Sequence, residues 1–252
     1  MKTLYFTATG NSLHVAKTIG GELLSIPKLM AEGKFNFEDE AIGIVSPCYG
    51  LSLPRIVKEF LAKAELKADY SFAVLTYGNM AASGLKQMER AAKKAGLALD
   101  YTNEILMVDN FLPLFNIKDQ LAKESNKGIE AKLKTIAYDV AQRKRGLIKR
   151  NPITNLLGGL VRPLFSSAWL DGADKKFRVT DACNGCGICV RVCPIKNIRL
   201  ESKPQYLHKC EGCFSCIHNC PKAAIHLTTE KSGARFRNRN VTLGEIITAN
   251  EQ

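Results

Sequence analysis

The chain has 252 residues, 46% of them hydrophobic, and carries 36 Lys and Arg against 24 Asp and Glu for a formal net charge of +12. That length allows one or two domains, and that apolar content supports a real core. Met1 runs directly into the apolar Leu4-Tyr5-Phe6 without the three regions of a secretory signal, so the expected location is the cytoplasm.

Taken in order, Leu4-Tyr5-Phe6 reads as a short buried strand, and Thr7-Ala8-Thr9-Gly10-Asn11-Ser12 as the turn after it. Leu13, Ala16, Ile19, Leu23 and Leu24 then fall on one face of a helix. A hydroxyl-rich turn between strand and helix presents backbone N–H groups and the positive helix end to an anion. Thr7, Thr9, Asn11 and Ser12 add side-chain donors, and Gly10 permits close backbone approach. No Gly-Lys-Ser/Thr closes the turn and no dinucleotide fingerprint is present. A monophosphate held without Lys or Arg suits flavin mononucleotide (FMN) better than a nucleoside triphosphate.

Ala41 to Ser46 reads as a second buried strand, ending in Pro47-Cys48-Tyr49-Gly50, after which Pro54 opens a helix through Leu61. Ser71 to Thr76 is a third, ending in Tyr77-Gly78-Asn79, with a helix from Ser83 through Lys94. Leu97 to Val108 supplies the last strand and Ile117 to Arg143 one long charged helix. Strands alternating with helices imply a parallel sheet covered on both faces, with ligands at the carboxyl ends of its strands. The loops at Thr7, Cys48 and Tyr77 all leave such ends and can converge on one ligand. Cys48 has no basic or histidine neighbour in sequence and reads as a small buried filler rather than a reactive thiol.

Further on, Asn151 to Leu170 is strongly apolar, but Gly158-Gly159 and Arg162-Pro163 interrupt it. It reads as an interdomain packing segment, with Trp169 as an anchor, rather than a membrane contact. Basic runs at Arg143, Lys144, Arg145, Lys149 and Arg150, and at Arg235, Arg237 and Arg239, lack a nucleic-acid motif. They suit solvated linkers or a docking face for an acidic redox protein. Thr242-Leu243-Gly244-Glu245 has the capping-box pattern of a short terminal helix. His14, His208, His218 and His226 share no ligand spacing and read as surface or satisfied core residues.

Eight of the nine cysteines form two copies of one pattern, Cys183, Cys186, Cys189, Cys193-Pro194 and Cys210, Cys213, Cys216, Cys220-Pro221. Each copy matches C-x2-C-x2-C-x3-C-P, the bacterial ferredoxin run, whose soft thiolates hold cubane iron–sulfur clusters. Structural zinc has no need of the third closely spaced cysteine, and disulfides would imply a secreted chain. Two [4Fe–4S] clusters are therefore expected. In two-cluster ferredoxins the fourth cysteine of each run ligates the other cluster. That assigns Cys183, Cys186, Cys189 and Cys220 to one cluster, and Cys210, Cys213, Cys216 and Cys193 to the second. Each cluster with its four thiolates carries about −2, which brings the net charge to roughly +8.

The N-terminal half resembles a flavodoxin. TATGNS is similar to the flavodoxin phosphate loop, and PCYG and TYGN stand where flavodoxins place the loops that grip the isoalloxazine ring. With the cysteine runs attached, nearly the whole chain resembles the flavodoxin–ferredoxin fusion family. The resemblance implies an α/β fold: a flavodoxin-like, doubly wound, five-stranded parallel sheet, followed by a small α+β bacterial ferredoxin-like domain. The expected divisions are 1–150 for the FMN-binding domain, 151–175 for the linker, 176–230 for the ferredoxin domain and 231–252 for a basic tail with a short helix. The resemblance places Thr7, Thr9, Gly10, Asn11 and Ser12 at the FMN phosphate and Pro47, Cys48, Tyr49, Gly50, Thr76, Tyr77, Gly78 and Asn79 around the ring. Tyr49 or Tyr77 would lie against the ring, Tyr49-Gly50 would be the peptide that turns a carbonyl toward flavin N5, and Asp109-Asn110 through Phe115 would cover the flavin edge.

The function expected is that of an electron-transfer iron–sulfur flavoprotein exchanging electrons with a redox partner protein, since no nicotinamide fingerprint appears. An acidic ferredoxin or oxidoreductase would suit the basic charge. An FMN-dependent reductase of a small acceptor such as a quinone is the next reading, and a redox sensor the third. No acid/base dyad selects a substrate, and the sequence leaves the oligomeric state open.

Overall fold

A computed structural model describes residues 1–148 and 172–251. The apolar linker with Trp169, and Lys149 and Arg150 of the first basic run, lie outside the described residues. In chain order the first domain comprises β1 (Lys2–Tyr5), α1 (Asn11–Ile19), β2 (Glu22–Ser25), α2 (Ile26–Glu32), β3 (Asn36–Pro47), α3 (Arg55–Lys63), β4 (Glu65–Tyr77), α4 (Gly84–Lys94), β5 (Tyr101–Leu106), α5 (Ile117–Ala122) and α6 (Ile129–Ala141). Its five strands are all parallel in the order β2-β1-β3-β4-β5.

Alternation along the strands feeds two cores. Leu4 and Phe6, Ile42 and Ile44, and Ala73 and Leu75 face α3 and α4, where Ile56, Val57, Phe60, Leu85 and Met88 meet them. Tyr5, Val45, Phe72 and Val74 face the other way, onto Leu13 and Ala16 of α1 and Leu133, Ile136 and Val140 of α6. Strands buried on both faces are what a doubly wound sheet requires. Because the chain goes from β1 outward to β2 and then crosses to β3, the topological switch lies between β1 and β3, where such folds bind their ligands.

Three details differ from the sequence reading. The first helix stops at Ile19, where Gly20 takes a φ of 87°, so Leu23 and Leu24 belong to the edge strand β2 instead. The helix expected over Ile117 to Arg143 is broken by a 3-10 turn (Glu124–Lys127) and by Gly128 at φ 59°. Strands β3 and β4 begin earlier than expected, at Asn36 and Glu65, while β5 begins later, at Tyr101.

The second domain comprises β6 (Phe177–Val179), α7 (Ile188–Arg191), β7 (Ile198–Leu200), β8 (Pro204–Tyr206), α8 (Ser215–His218) and β9 (Ile225–Leu227), with β6 antiparallel to β9 and β7 to β8. The closing helix α9 (Leu243–Asn250) returns to the first domain: Val241, Ile246 and Ile247 join the α1/α6 core, and the Ser25 hydroxyl donates to the Ala249 carbonyl. Both halves of the expected capping box are present, and Glu245 also pairs with Lys17 of α1 at 2.5 Å. Among the described residues no helix is long and apolar enough to cross a membrane.

The Glu245 carboxyl is held down to about 2, first by Lys17 and then by the Thr242 backbone N–H. A depressed folded-state value means that its stabilisation is complete above the ordinary 4.5 and is lost only as pH falls toward 2. Glu245→Gln is therefore expected to lower thermal stability by about 0.5–1 kcal/mol, the carboxylate being partly solvent-screened. The difference in Tm from the parent should stay constant between pH 8 and pH 5; one that changes across that window contradicts this account of the cap.

Candidate cofactor sites

The loops leaving β1, β3, β4 and β5 enclose a cavity of about 560 Å³, a size suited to a small cofactor. Thr7, Thr9, Asn11, Ser12, Pro47, Cys48, Tyr49, Gly50, Thr76, Tyr77, Gly78 and Asn79 all line it, as do Asp109, Asn110, Phe111 and Phe115. Gly10 sits directly behind the phosphate-type turn rather than in the wall.

That turn is built to receive an anion. Gly10, at φ 99°, occupies the N-cap of α1 and supplies no side-chain cap. Among the described residues the N–H groups of Asn11, Ser12 and Leu13 have no acceptor in the chain, and they carry the positive end of the helix. The Thr7 hydroxyl accepts the Gly10 N–H at 3.1 Å, and the Thr9 hydroxyl accepts from Asn110 Nδ2 at 2.6 Å. Both keep a hydrogen to donate. The Asn11 side chain is used otherwise than expected: Nδ2 donates to the Val108 carbonyl and Oδ1 accepts from Asn238, both at 3.1 Å. Its own contribution to an anion is thus its backbone N–H. Among the described residues no Lys or Arg lines the cavity, and its one acid, Asp109, has its pKa pushed up by burial. A phosphate on the helix end, with a planar apolar ring among Tyr49, Tyr77 and Phe111, fits this wall.

The β3 loop closes as a two-residue hairpin in which Tyr49 and Ser52 exchange backbone hydrogen bonds, with Gly50 and Leu51 at φ 52° and 65°. Two central residues at positive φ make a type I′ turn. Tyr49 packs edge-on against Phe6 at 6.1 Å. Cys48 is half-buried and directs its thiol to the Ala81 carbonyl at 3.5 Å.

All nine cysteines, Cys48 of the first domain included, are free of disulfides. The eight in the runs divide across them: Cys183, Cys186, Cys189 and Cys220 line one small cavity, and Cys193, Cys210, Cys213 and Cys216 line another. As bare thiols the buried ones resist ionisation: burial pushes Cys189 up to about 11, Cys210 up to about 12, and Cys213 and Cys216 well above the ordinary value. Four buried sulfurs around a cavity become thiolates when a cationic iron–sulfur core takes the place of their protons. Among the described residues no three Cys, His, Asp or Glu side chains are set for a single metal ion. Backbone N–H groups of Asn197, Gly212 and Ala224 point at Cys193, Cys210 and Cys220, each at 3.3 Å, ready to stabilise sulfur charge.

The two domains meet at these sites. Gly212, Cys213 and Phe214 of the second run form part of the wall of the large cavity, so Cys213 borders both it and the inner cysteine cavity. Ser215 Oγ and Asn219 Nδ2 donate to the Ala8 carbonyl at 2.9 and 3.2 Å. His218 is buried and held neutral, its pKa lowered to about 4 by burial. It accepts the Phe236 N–H at Nδ1 and therefore donates from Nε2 to the Asn110 carbonyl at 2.9 Å. Glu211 is buried and accepts the Arg55 N–H, capping α3 across the interface. The contacts that join the two domains were not visible in the sequence, because each links residues more than a hundred positions apart.

The basic runs are largely paired. Arg143 meets Glu40, Lys144 meets Asp139, Arg145 meets Asp100, Arg235 meets Glu230 and Arg239 meets Glu124. The first cysteine cavity instead opens at an exposed Cys186 with exposed Lys222 in its wall.

Residues 175–224 match the family profile described as 4Fe-4S dicluster domain. No curated protein sequence matches the chain. Among solved structures, the chain is similar to the two-electron reduced flavodoxin of Megasphaera elsdenii, at 13% identity and a TM-score of 0.29 over 41% of this chain and 83% of that one. It is also similar to the Trp repressor binding protein of Bacillus subtilis, at 9% identity and a TM-score of 0.36 over 58% of this chain and 100% of that one. The parallel β2-β1-β3-β4-β5 order is itself the flavodoxin-like order. The chain thus joins a flavodoxin-like doubly wound fold to a segment, residues 175–224, that matches the 4Fe-4S dicluster profile.

Proposed function

We propose that this chain is an electron-transfer protein that binds two [4Fe–4S] clusters and FMN and exchanges electrons with a partner protein. Cys183, Cys186, Cys189 and Cys220 would hold the outer cluster, and Cys193, Cys210, Cys213 and Cys216 the inner one. Thr7, Thr9, Asn11 and Ser12 would hold the FMN phosphate on the end of α1, with Tyr49, Gly50, Tyr77, Gly78 and Asn79 around the ring. When bound, the clusters exchange single electrons and the flavin one or two.

The observation that carries this reading is the shared wall: Cys213 borders both the inner cysteine cavity and the large cavity. Ser215, Asn219 and His218 fix that wall by their hydrogen bonds to Ala8 and Asn110. The outer set, with exposed Cys186 and Lys222, meets solvent and suits an acidic redox partner. Anaerobic reconstitution followed by iron, sulfide and flavin analysis, with EPR of the reduced protein, tests the assignment. Eight irons and one FMN per chain are expected, roughly, from two cubanes and one flavin; zinc, or a protein that takes up no flavin, contradicts it.

A second reading, an FMN-dependent reductase of a small acceptor, has one observation in its favour. A neighbouring cavity of about 490 Å³, bounded by Gln120 and Lys123, shares Gly78, Asn79, Leu114 and Phe115 with the large one. Saturable turnover of quinones by the reduced holoprotein would favour it over the carrier.

A further inference from the structure

Tyr206 ends β8, where it pairs with Ile198 of β7 and sets its ring edge-on to Phe177 at 5.3 Å. This places the side chain in the wall of the inner cysteine cavity, beside Cys193, Cys210 and Cys216. Its hydroxyl is out of contact with water and, among the described residues, has no hydrogen-bond partner. Buried tyrosine hydroxyls nearly always have one. The other side-chain donors around this cavity are used: Ser215 donates to Ala8, and Asn197 Nδ2 donates to Asp174 at 2.8 Å.

The cavity that Tyr206 lines is walled by Cys193, Cys210, Cys213 and Cys216. A phenol in the wall of a cavity lined by sulfurs offers them a hydrogen-bond donor. Among the described residues no hydroxyl lines the outer cavity, whose side-chain donors are Asn184 and the solvent-exposed Lys222. The asymmetry has an electrostatic meaning. Reduction adds negative charge to a cluster, which burial opposes and a hydrogen bond to sulfur favours. The inner cysteines are the more deeply buried set, with Cys186 of the outer set exposed.

Resting on the cluster assignment proposed above, we infer that the Tyr206 hydroxyl donates a hydrogen bond to a sulfur of the inner iron–sulfur cluster and raises its reduction potential relative to the outer one. The donor offsets the penalty of burial at the site beside the flavin cavity. Tyr206 acts as a potential-setting residue; it neither transfers a proton nor ligates iron.

Tyr206→Phe removes one oxygen and keeps the ring packed on Phe177. In an EPR-monitored redox titration of the anaerobic holoprotein, the inner cluster should shift to lower potential, so that at its parent midpoint the reduced-to-oxidised ratio falls roughly threefold or more. The outer cluster should keep its midpoint. The inner signal is identified as the one that survives Cys220→Ser. Resonance Raman of the parent protein needs no variant: an iron–sulfur band should move between H2O and D2O, and that movement should be missing in Tyr206→Phe. Unchanged midpoints, equal shifts in both clusters, or a shift confined to the outer cluster would overturn the inference. Absence of cluster iron from the parent protein would instead overturn the cofactor assignment itself, so the two failures are distinguishable.

Discussion

Cys193→Ser should empty the inner cluster site and Cys220→Ser the outer one, each variant keeping roughly half of the iron and sulfide of the parent. The expectation follows from the cavities. Cys193 closes the first run in sequence but lines the cavity of Cys210, Cys213 and Cys216, while Cys220 closes the second and lines that of Cys183, Cys186 and Cys189. The exchange happens because a single short helical turn, α7 or α8, holds the third cysteine of each run and carries the fourth away from the loop. Serine keeps the volume but offers a harder, more basic oxygen in place of a soft thiolate. The two variants should also differ at the flavin. Because Cys213 belongs to the inner set and to the wall of the large cavity, Cys193→Ser should alter the absorbance of the proposed flavin, and Cys220→Ser should leave it as it is. Iron and sulfide analysis with EPR of the reduced variants gives the answer. Identical surviving signals in both variants, or a flavin change in Cys220→Ser alone, would contradict the crossed arrangement.

The cysteine runs were legible because a ligand loop is local: three sulfurs within seven residues must face one centre. The parallel sheet was legible because Ala41–Val45 and Phe72–Leu75, buried on both faces, read as unbroken apolar runs. The polar first halves of β3 and β4 were not, since Asn36–Glu40 and Glu65–Asp69 alternate instead of forming such runs. β2 was hidden for another reason. Leu23 and Leu24 stand at helical spacing from Ile19, and only the positive φ of Gly20 shows that the helix has stopped. Gly128 breaks the long charged helix in the same way, by conformation rather than by pattern. The least legible part was the junction. Nothing near Cys213 in sequence predicts the wall it shares with Thr9 and Tyr49, and nothing near Asn238 predicts its bond to Asn11. These are products of two domains meeting around one cavity, and residue spacing along the chain does not encode them.

Asn238 leads to the other large effect, at Gly10. The residue sits at φ 99°, in a left-handed conformation that costs an L-amino acid roughly 1–2 kcal/mol. A Cβ at this position would also fall 3.0 Å from the Cβ atoms of both Asn238 and Val241. Neither neighbour yields easily. Val241 is buried in the α1/α6 core, and the Asn238 N–H donates to the Thr9 carbonyl at 2.8 Å. Gly10→Ala should therefore displace the turn that presents the Asn11 and Ser12 N–H groups, weakening FMN binding about tenfold or more, which corresponds to roughly 1.4 kcal/mol. Quenching of FMN fluorescence on addition to flavin-depleted protein measures this, and cluster iron should be unchanged. Parent-like affinity in Gly10→Ala would remove the phosphate from this turn. Adding Asn238→Gly to Gly10→Ala relieves the crowding on one side but not the backbone strain. The affinity recovered by the double variant then measures how far the tail, rather than the glycine's own conformation, holds the turn in place.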